Sequence, residues 1–129
     1  MSGRHLLDTN VVVALLNAED AVTARLDALP EVFLSIVTLG ELYFGAANSG
    51  RPEANAARVS DFAATCTLVG VDADTARRYG QLRLELKKKG RPIPENDLWI
   101  AACALQHGLV VATRDRHFEN VEGLEIEAW

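Results

Sequence analysis

Asp8, Glu41, Asp97 and Asp115 are the residues of this chain best suited to act together. Each falls where a strand–helix unit would deliver its carboxylate to one edge of a parallel sheet. Asp8 ends the apolar stretch His5-Leu6-Leu7 and precedes the run Val11 to Leu16. Glu41 lies about one helical turn beyond a predicted strand, Val32–Ser35. Asp97 opens the run Leu98 to Ala102, and Asp115 follows the stretch Leu109 to Thr113. Parallel α/β sheets bind ligands outside the carboxyl ends of their strands. Four carboxylates sharing a crevice repel one another, and protonation or a cation must offset that repulsion. Oxygen donors alone suit a hard divalent ion such as Mg²⁺ or Mn²⁺. The chemistry implied is metal-assisted attack on phosphate. The repulsion also predicts that Asp8→Asn stabilises the ion-free protein.

Each acid has an ordinary role to weigh against this. Thr38-Leu39-Gly40-Glu41 fits a capping box, so Glu41 could cap a helix. Asp8 and Asp97 stand where acidic side chains complement a helix dipole. Asp115 could be a turn residue after a strand. Independent caps need not all collect on one sheet edge, so function rests on the constellation.

The elements that must position these acids alternate strand and helix, the pattern of a parallel α/β sheet. Predicted strands are Arg4–Leu7, Val32–Ser35, Thr67–Val71, Leu109–Thr113 and Leu124–Glu127. Predicted helices are Asn10–Asn17, Ala21–Leu29, Thr38–Ala47, Pro52–Ala64, Ala73–Lys89 and Asp97–His107. Pro52 opens the fourth helix at a favoured first-turn site, and Gly108 stops the sixth. Gly90-Arg91-Pro92-Ile93-Pro94 is a stiff loop that delivers Asp97. On the longest helix, Ala76, Tyr79 and Leu86 share one face at 100° per residue. Arg77, Arg78, Lys88 and Lys89 share the other.

The 129 residues suffice for about one domain, taken as 1–129. Apolar residues at 49% and charged residues at 24% describe a soluble globular chain. No apolar run approaches the ~20 residues of a membrane span, and no signal peptide is evident, so a cytoplasmic protein is expected. Cys66 and Cys103 form no ligand motif and read as reduced thiols, with Cys103 on a packed helix face. His5, His107 and His117 lack metal-ligand spacing, which argues against a zinc hydrolase. The net charge of −5 opposes a polyanion partner, yet the distribution is uneven. Arg77, Arg78, Arg83, Lys87, Lys88, Lys89 and Arg91 face only Glu85 between positions 77 and 91, a local net of +6. A basic stretch beside an acidic metal site is what a nuclease needs. The plainer reading is a solvated helix face with lysines complementing the dipole.

Four pieces in order resemble the PIN domain family, and within it the VapC-type toxin ribonucleases. They are Leu7-Asp8-Thr9-Asn10, Ser35 to Leu42, Asn96-Asp97-Leu98-Trp99-Ile100-Ala101-Ala102, and Thr113-Arg114-Asp115-Arg116-His117-Phe118. The closing Gly123 to Trp129 is also similar to the end of such toxins. The resemblance implies a three-layer α/β/α fold around a mostly parallel sheet of about five strands. It implies a Mg²⁺- or Mn²⁺-dependent endoribonuclease whose acidic site is Asp8, Glu41, Asp97 and Asp115, with Thr113 in support. It implies a homodimer held inactive by a small antitoxin. It also implies transfer RNA as substrate, the nearest likeness being to members that cut an initiator tRNA in the anticodon arm.

On this reading Asp8 and Asp97 hold the ion, Glu41 completes the site, and Asp115 can hold a second ion. Asn10 and Thr113 would fix the carboxylates by hydrogen bonds. Lys87, Lys88, Lys89 and Arg91, with Arg114 and Arg116 flanking Asp115, are the candidates for RNA contact. One rival is a PIN-like module that binds RNA or antitoxin and cuts nothing. A phosphoacceptor signalling domain is a second, weakened because all three lysines lie at 87–89 rather than at a late strand end.

Overall fold

A computed structural model describes residues 4–129. Five strands form one sheet: β1 (His5–Leu7), β2 (Val32–Ser35), β3 (Thr67–Val69), β4 (Val110–Thr113) and β5 (Ile126–Ala128). Their order is β3-β2-β1-β4-β5, and every pairing is parallel. Six α-helices connect them: α1 (Thr9–Leu16), α2 (Asp20–Asp27), α3 (Ile36–Ala47), α4 (Pro52–Ala63), α5 (Ala73–Lys89) and α6 (Glu95–His107). A 3₁₀ turn, Arg116–Asn120, follows β4.

Side chains alternate across a strand, and that alternation builds the layers. Leu6, Phe33 and Val111 pack with Leu82 and Leu86 of α5 and with Leu98, Ile100 and Ala101 of α6. Their neighbours Leu7, Leu34 and Ala112 pack on the opposite face with residues of α1 to α4, among them Val11, Val22, Leu42 and Val59. The sheet thus lies between two helical layers, the expected α/β/α arrangement. Leu6, Leu7, Leu34 and Val111 are wholly buried, as continuous apolar strands of a parallel sheet must be.

Most element ends shift by one or two residues from those expected, and two readings change. The strand β2 runs straight into α3, whose N-cap is Ser35, its hydroxyl accepting from the Val37 amide at 3.1 Å. Thr38 and Glu41 are therefore inside the helix, and the apparent capping box is not used. On α5 the buried residues are Thr75, Leu82 and Leu86, with Tyr79 half-buried, whereas Ala76 is exposed. The basic side chains of α5 are exposed, as expected.

α5 and α6 form an antiparallel pair. Thr75 bonds Gln106 at one end, the Tyr79 hydroxyl bonds Glu95 near the other, and the Tyr79 ring stacks on Trp99 at 3.9 Å. Gly90 and Gly108 terminate the two helices in left-handed conformations, φ 69° and 65°, that favour glycine. Cys103 is buried and Cys66 half-buried, both as free thiols. Among the described residues, no helix is long and apolar enough to cross a membrane.

Candidate active site

β1 is the central strand, and its last residue is followed at once by Asp8, which caps α1. Both carboxylate oxygens are committed. Oδ1 accepts from the Thr9 amide at 2.8 Å, and Oδ2 accepts from the Thr113 hydroxyl at 2.7 Å. The Asp8 amide bonds the Ala112 carbonyl at 2.9 Å, locking β1 to β4 at this edge. Asp8 is only 4% exposed. Burial raises its pKa, opposed by the bonds from Thr113 and Thr9 and reinforced by the charges of Asp115 and Glu41.

The other acids arrive from three further elements. Glu41, on α3, accepts from the Thr9 hydroxyl at 2.8 Å, so it sits one side chain away from Asp8. Asp97 lies in the first turn of α6, which begins at Glu95 rather than at Asp97 itself. Asp115 caps the 3₁₀ turn, accepting from the His117 amide at 2.9 Å. Its own amide donates to the Thr113 hydroxyl at 2.9 Å, so Thr113 ties Asp8 and Asp115 together. Three of the acids therefore also hold helix-terminal positions, and the cap and the crevice are the same place. A helix that starts where a strand ends presents its first-turn carboxylate to the sheet edge.

The electrostatics are those of a crowded cluster. The Asp97 carboxyl is pushed up to about 7, first by desolvation, then by the charges of Asp8 and Asp115 and a shared hydrogen bond with Asp115. Its Oδ2 is buried and meets no donor. That oxygen can be satisfied by carrying a proton itself or by facing a cation. Desolvation also acts on Asp115, but bonds from the His117 amide and ring, and the ring's charge, outweigh it and lower its pKa. Among the described residues no Lys or Arg pairs with Asp8, Asp97 or Asp115; the partner of the last two is His117.

His117 is the member that sequence reasoning missed. Its Nδ1 lies 2.8 Å from Asp115 Oδ1 and 3.9 Å from Asp97 Oδ2. Asp97, Asp115 and His117 each offer a ligand atom within 4.8 Å of the others. The signal was present as Asp115-x-His117, because an aspartate side chain that bonds the amide two residues on brings that residue back beside it.

The supporting residues divide. Thr113 is buried and bonded as expected. Asn10 does not touch a carboxylate; its Oδ1 accepts from the Arg114 amide at 3.2 Å. The Arg114 guanidinium is itself engaged, with Glu19 at 2.8 and 3.3 Å and the Trp129 carbonyl at 2.8 Å. Arg116 is exposed and pairs with Glu119 at 3.3 Å. Lys89 lies 3.8 Å from Glu122. Lys87 lines a groove of about 330 Å³ with Pro92, Ile93, Glu95 and Leu98, the last adjoining Asp97. A second groove, about 590 Å³, is lined by Thr9, Val37, Gly40, Glu41, Phe44 and Asn96. Leu42 is core, but Phe44 stands 71% exposed at this groove.

The PIN domain family model matches residues 5–124. The tRNA(fMet)-specific endonuclease VapC of Shigella flexneri is 36% identical over 129 residues, covering 98% of each chain. In the VapBC2 structure from Rickettsia felis, bound to a promoter DNA fragment, a chain superposes with a TM-score of 0.92 at 29% identity, covering 98% of each chain. VapBC-5 of Mycobacterium tuberculosis, described as a member of the VapBC family of toxin–antitoxin systems, gives 0.76 at 32% identity over 98% of this chain and 97% of that one. Sheet order, acidic crevice and near full-length similarity agree: the chain belongs to the PIN domain family, among its VapC ribonucleases.

Proposed function

We propose that this chain is a Mg²⁺- or Mn²⁺-dependent endoribonuclease that cuts phosphodiester bonds in structured RNA and serves as the toxin of a toxin–antitoxin pair. One observation carries the reading: a buried carboxylate oxygen of Asp97, without a donor, among three further acids that no Lys or Arg neutralises among the described residues. A divalent ion suits that excess of negative charge and that donor chemistry. Asp8, Asp97 and Asp115 would hold it, with Glu41 completing the site. When bound, such an ion activates water for attack and neutralises charge on the phosphate.

The chain's own residues supply orientation. Thr113 holds Asp8 and the Asp115 peptide, and Thr9 holds Glu41, so the carboxylates are fixed before substrate arrives. Exposed Lys87, Lys88, Lys89, Arg91 and Arg116 offer cations to RNA phosphates around the crevice. Transfer RNA is the substrate class to test first, given the endonuclease relative's name. The groove flanked by Phe44 and Glu41 fits an apolar antitoxin segment laid over the site, and a homodimer joined to antitoxin is the assembly proposed.

The test is cleavage of tRNA by purified parent, Asp8→Asn and Asp97→Asn with Mg²⁺ or Mn²⁺, with circular dichroism as the folding check. Each folded variant should lose about 10²-fold or more, the scale of a lost charge-stabilising group. Full activity in a folded Asp97→Asn protein would sink the assignment. A parent that binds tRNA yet never cuts it would favour the catalytically silent alternative.

A further inference from the structure

We infer that His117 is a direct ligand of the ion and biases the site toward a first-row transition cation such as Mn²⁺ over Mg²⁺. The inference rests on the metal reading above and deepens it. Three observations carry it. The ring nitrogen Nδ1 points at both carboxylates, 2.8 Å from Asp115 Oδ1 and 3.9 Å from Asp97 Oδ2. The three ligand atoms fall within 4.8 Å of one another, a spread one ion can bridge. The backbone that carries the ring is also held in place by its neighbours. His117 sits in the 3₁₀ turn capped by Asp115, and the next residue, Phe118, is wholly buried in the core. Val121, which closes the turn, is buried as well. A backbone pinned between a carboxylate cap and a core anchor keeps the ring's point of attachment beside Asp115.

The chemistry decides the preference. Mg²⁺ binds oxygen, demands near-ideal octahedral geometry and gives up its waters reluctantly. Imidazole suits first-row transition ions. Carboxylates alone would leave the two ions close in affinity. One nitrogen donor at the mouth of the crevice, half-exposed at 52%, separates them. The competing role for His117 is purely that of hydrogen-bond donor to Asp115, holding its carboxylate in position. That role would affect both ions alike.

The experiment titrates Mn²⁺ and Mg²⁺ into the full-length parent, His117→Gln and Asp97→Asn by calorimetry. Pulsed electron paramagnetic resonance on the Mn²⁺ forms then detects directly bound nitrogen. His117→Gln should weaken Mn²⁺ by about tenfold or more and Mg²⁺ by less than about threefold. The parent should show nitrogen coupling that the variant lacks while His5 and His107 are unchanged. Equal weakening of both ions, no weakening, or absence of nitrogen coupling in the parent would overturn the inference. If Asp97→Asn binds Mn²⁺ as tightly as the parent, the metal reading itself fails; if it loses Mn²⁺ while His117→Gln does not, only the role of His117 fails.

Discussion

Removing the charge of Asp97 should stabilise the ion-free protein at neutral pH. In the folded state this carboxyl titrates near 7, against an ordinary value of 3.8. Between those values the folded chain binds more protons than the unfolded chain, so stability falls as pH rises through the window. At about 1.4 kcal/mol per pH unit the full penalty is about 4 kcal/mol, complete above about pH 8. Asp97→Asn cannot ionise, and its amide can donate to Asp115, which accepts a hydrogen bond from the protonated acid in the parent. In chelator at pH 8 the variant should melt about 10 °C above the parent, and the gap should close toward pH 4. Adding Mn²⁺ should reverse the order, because an ion that binds only the folded state stabilises by mass action and the variant binds it less. Calorimetric melting at pH 4, 6 and 8, with and without Mn²⁺, tests all of this. A variant melting at or below the parent in chelator at pH 8 would refute the reasoning, since Asp97 would then not be held ionised against its neighbours.

Thr113→Val keeps shape and removes two hydrogen bonds, to Asp8 Oδ2 at 2.7 Å and from the Asp115 amide at 2.9 Å. It should cost about 2–3 kcal/mol in urea unfolding and lower cleavage even at saturating ion, and a loss under about 0.5 kcal/mol would argue that water replaces the hydroxyl. The triple change Lys87→Gln, Lys88→Gln, Lys89→Gln should flatten the slope of log affinity for tRNA against log salt by about 0.7 to 0.9 per lost contact. It should leave the Mn²⁺-dependent melting shift alone. An unchanged slope would make the lysines a solvated helix end.

The parts of the fold readable in the sequence were those that physics marks locally. Buried parallel strands are apolar on both faces, so His5-Leu6-Leu7 and Val110-Val111-Ala112 stand out, and the glycine stops of α5 and α6 mark their ends. The acids were readable because each follows such a strand or opens a helix. Other features depend on contacts that sequence does not display. Thr38 to Glu41 mimics a capping box, but β2 passes into α3 without a loop and Ser35 takes the cap. The 3₁₀ turn is too short for periodicity, so Asp115 reads as an acid of the site and Arg116 as its basic flank, while His117 shows no ligand spacing. Arg114 looked like a free cation beside the site. Its partners Glu19 and Trp129 are 95 and 15 residues away, and together they tie the end of β4 to α2's N-cap and to the C-terminus.

The same geometry sets a cost against the gain expected from neutralising Asp8, whose raised pKa means that its charge opposes folding without ion. Asp8 and Asp97 are both raised by burial and by neighbouring acids, but their oxygens are used differently. Both oxygens of Asp8 accept bonds, from Thr9 and Thr113. An Asn there keeps one acceptor, and its amide meets the Thr113 hydroxyl only if that hydroxyl turns to accept, which takes Asp8 away as the acceptor of the hydroxyl proton at a cost of about 1–3 kcal/mol. Asp97 Oδ2 accepts nothing, so an Asn there breaks no such bond. Asp8 is the fixed member of the cluster, bonded at the end of the central strand, and Asp97 is the member with an oxygen free. A loss of cleavage in Asp8→Asn mixes geometry with charge, whereas a loss in Asp97→Asn, in a protein that folds better without ion, isolates the charge. Asp97 is therefore the residue on which the metal-dependent mechanism stands or falls.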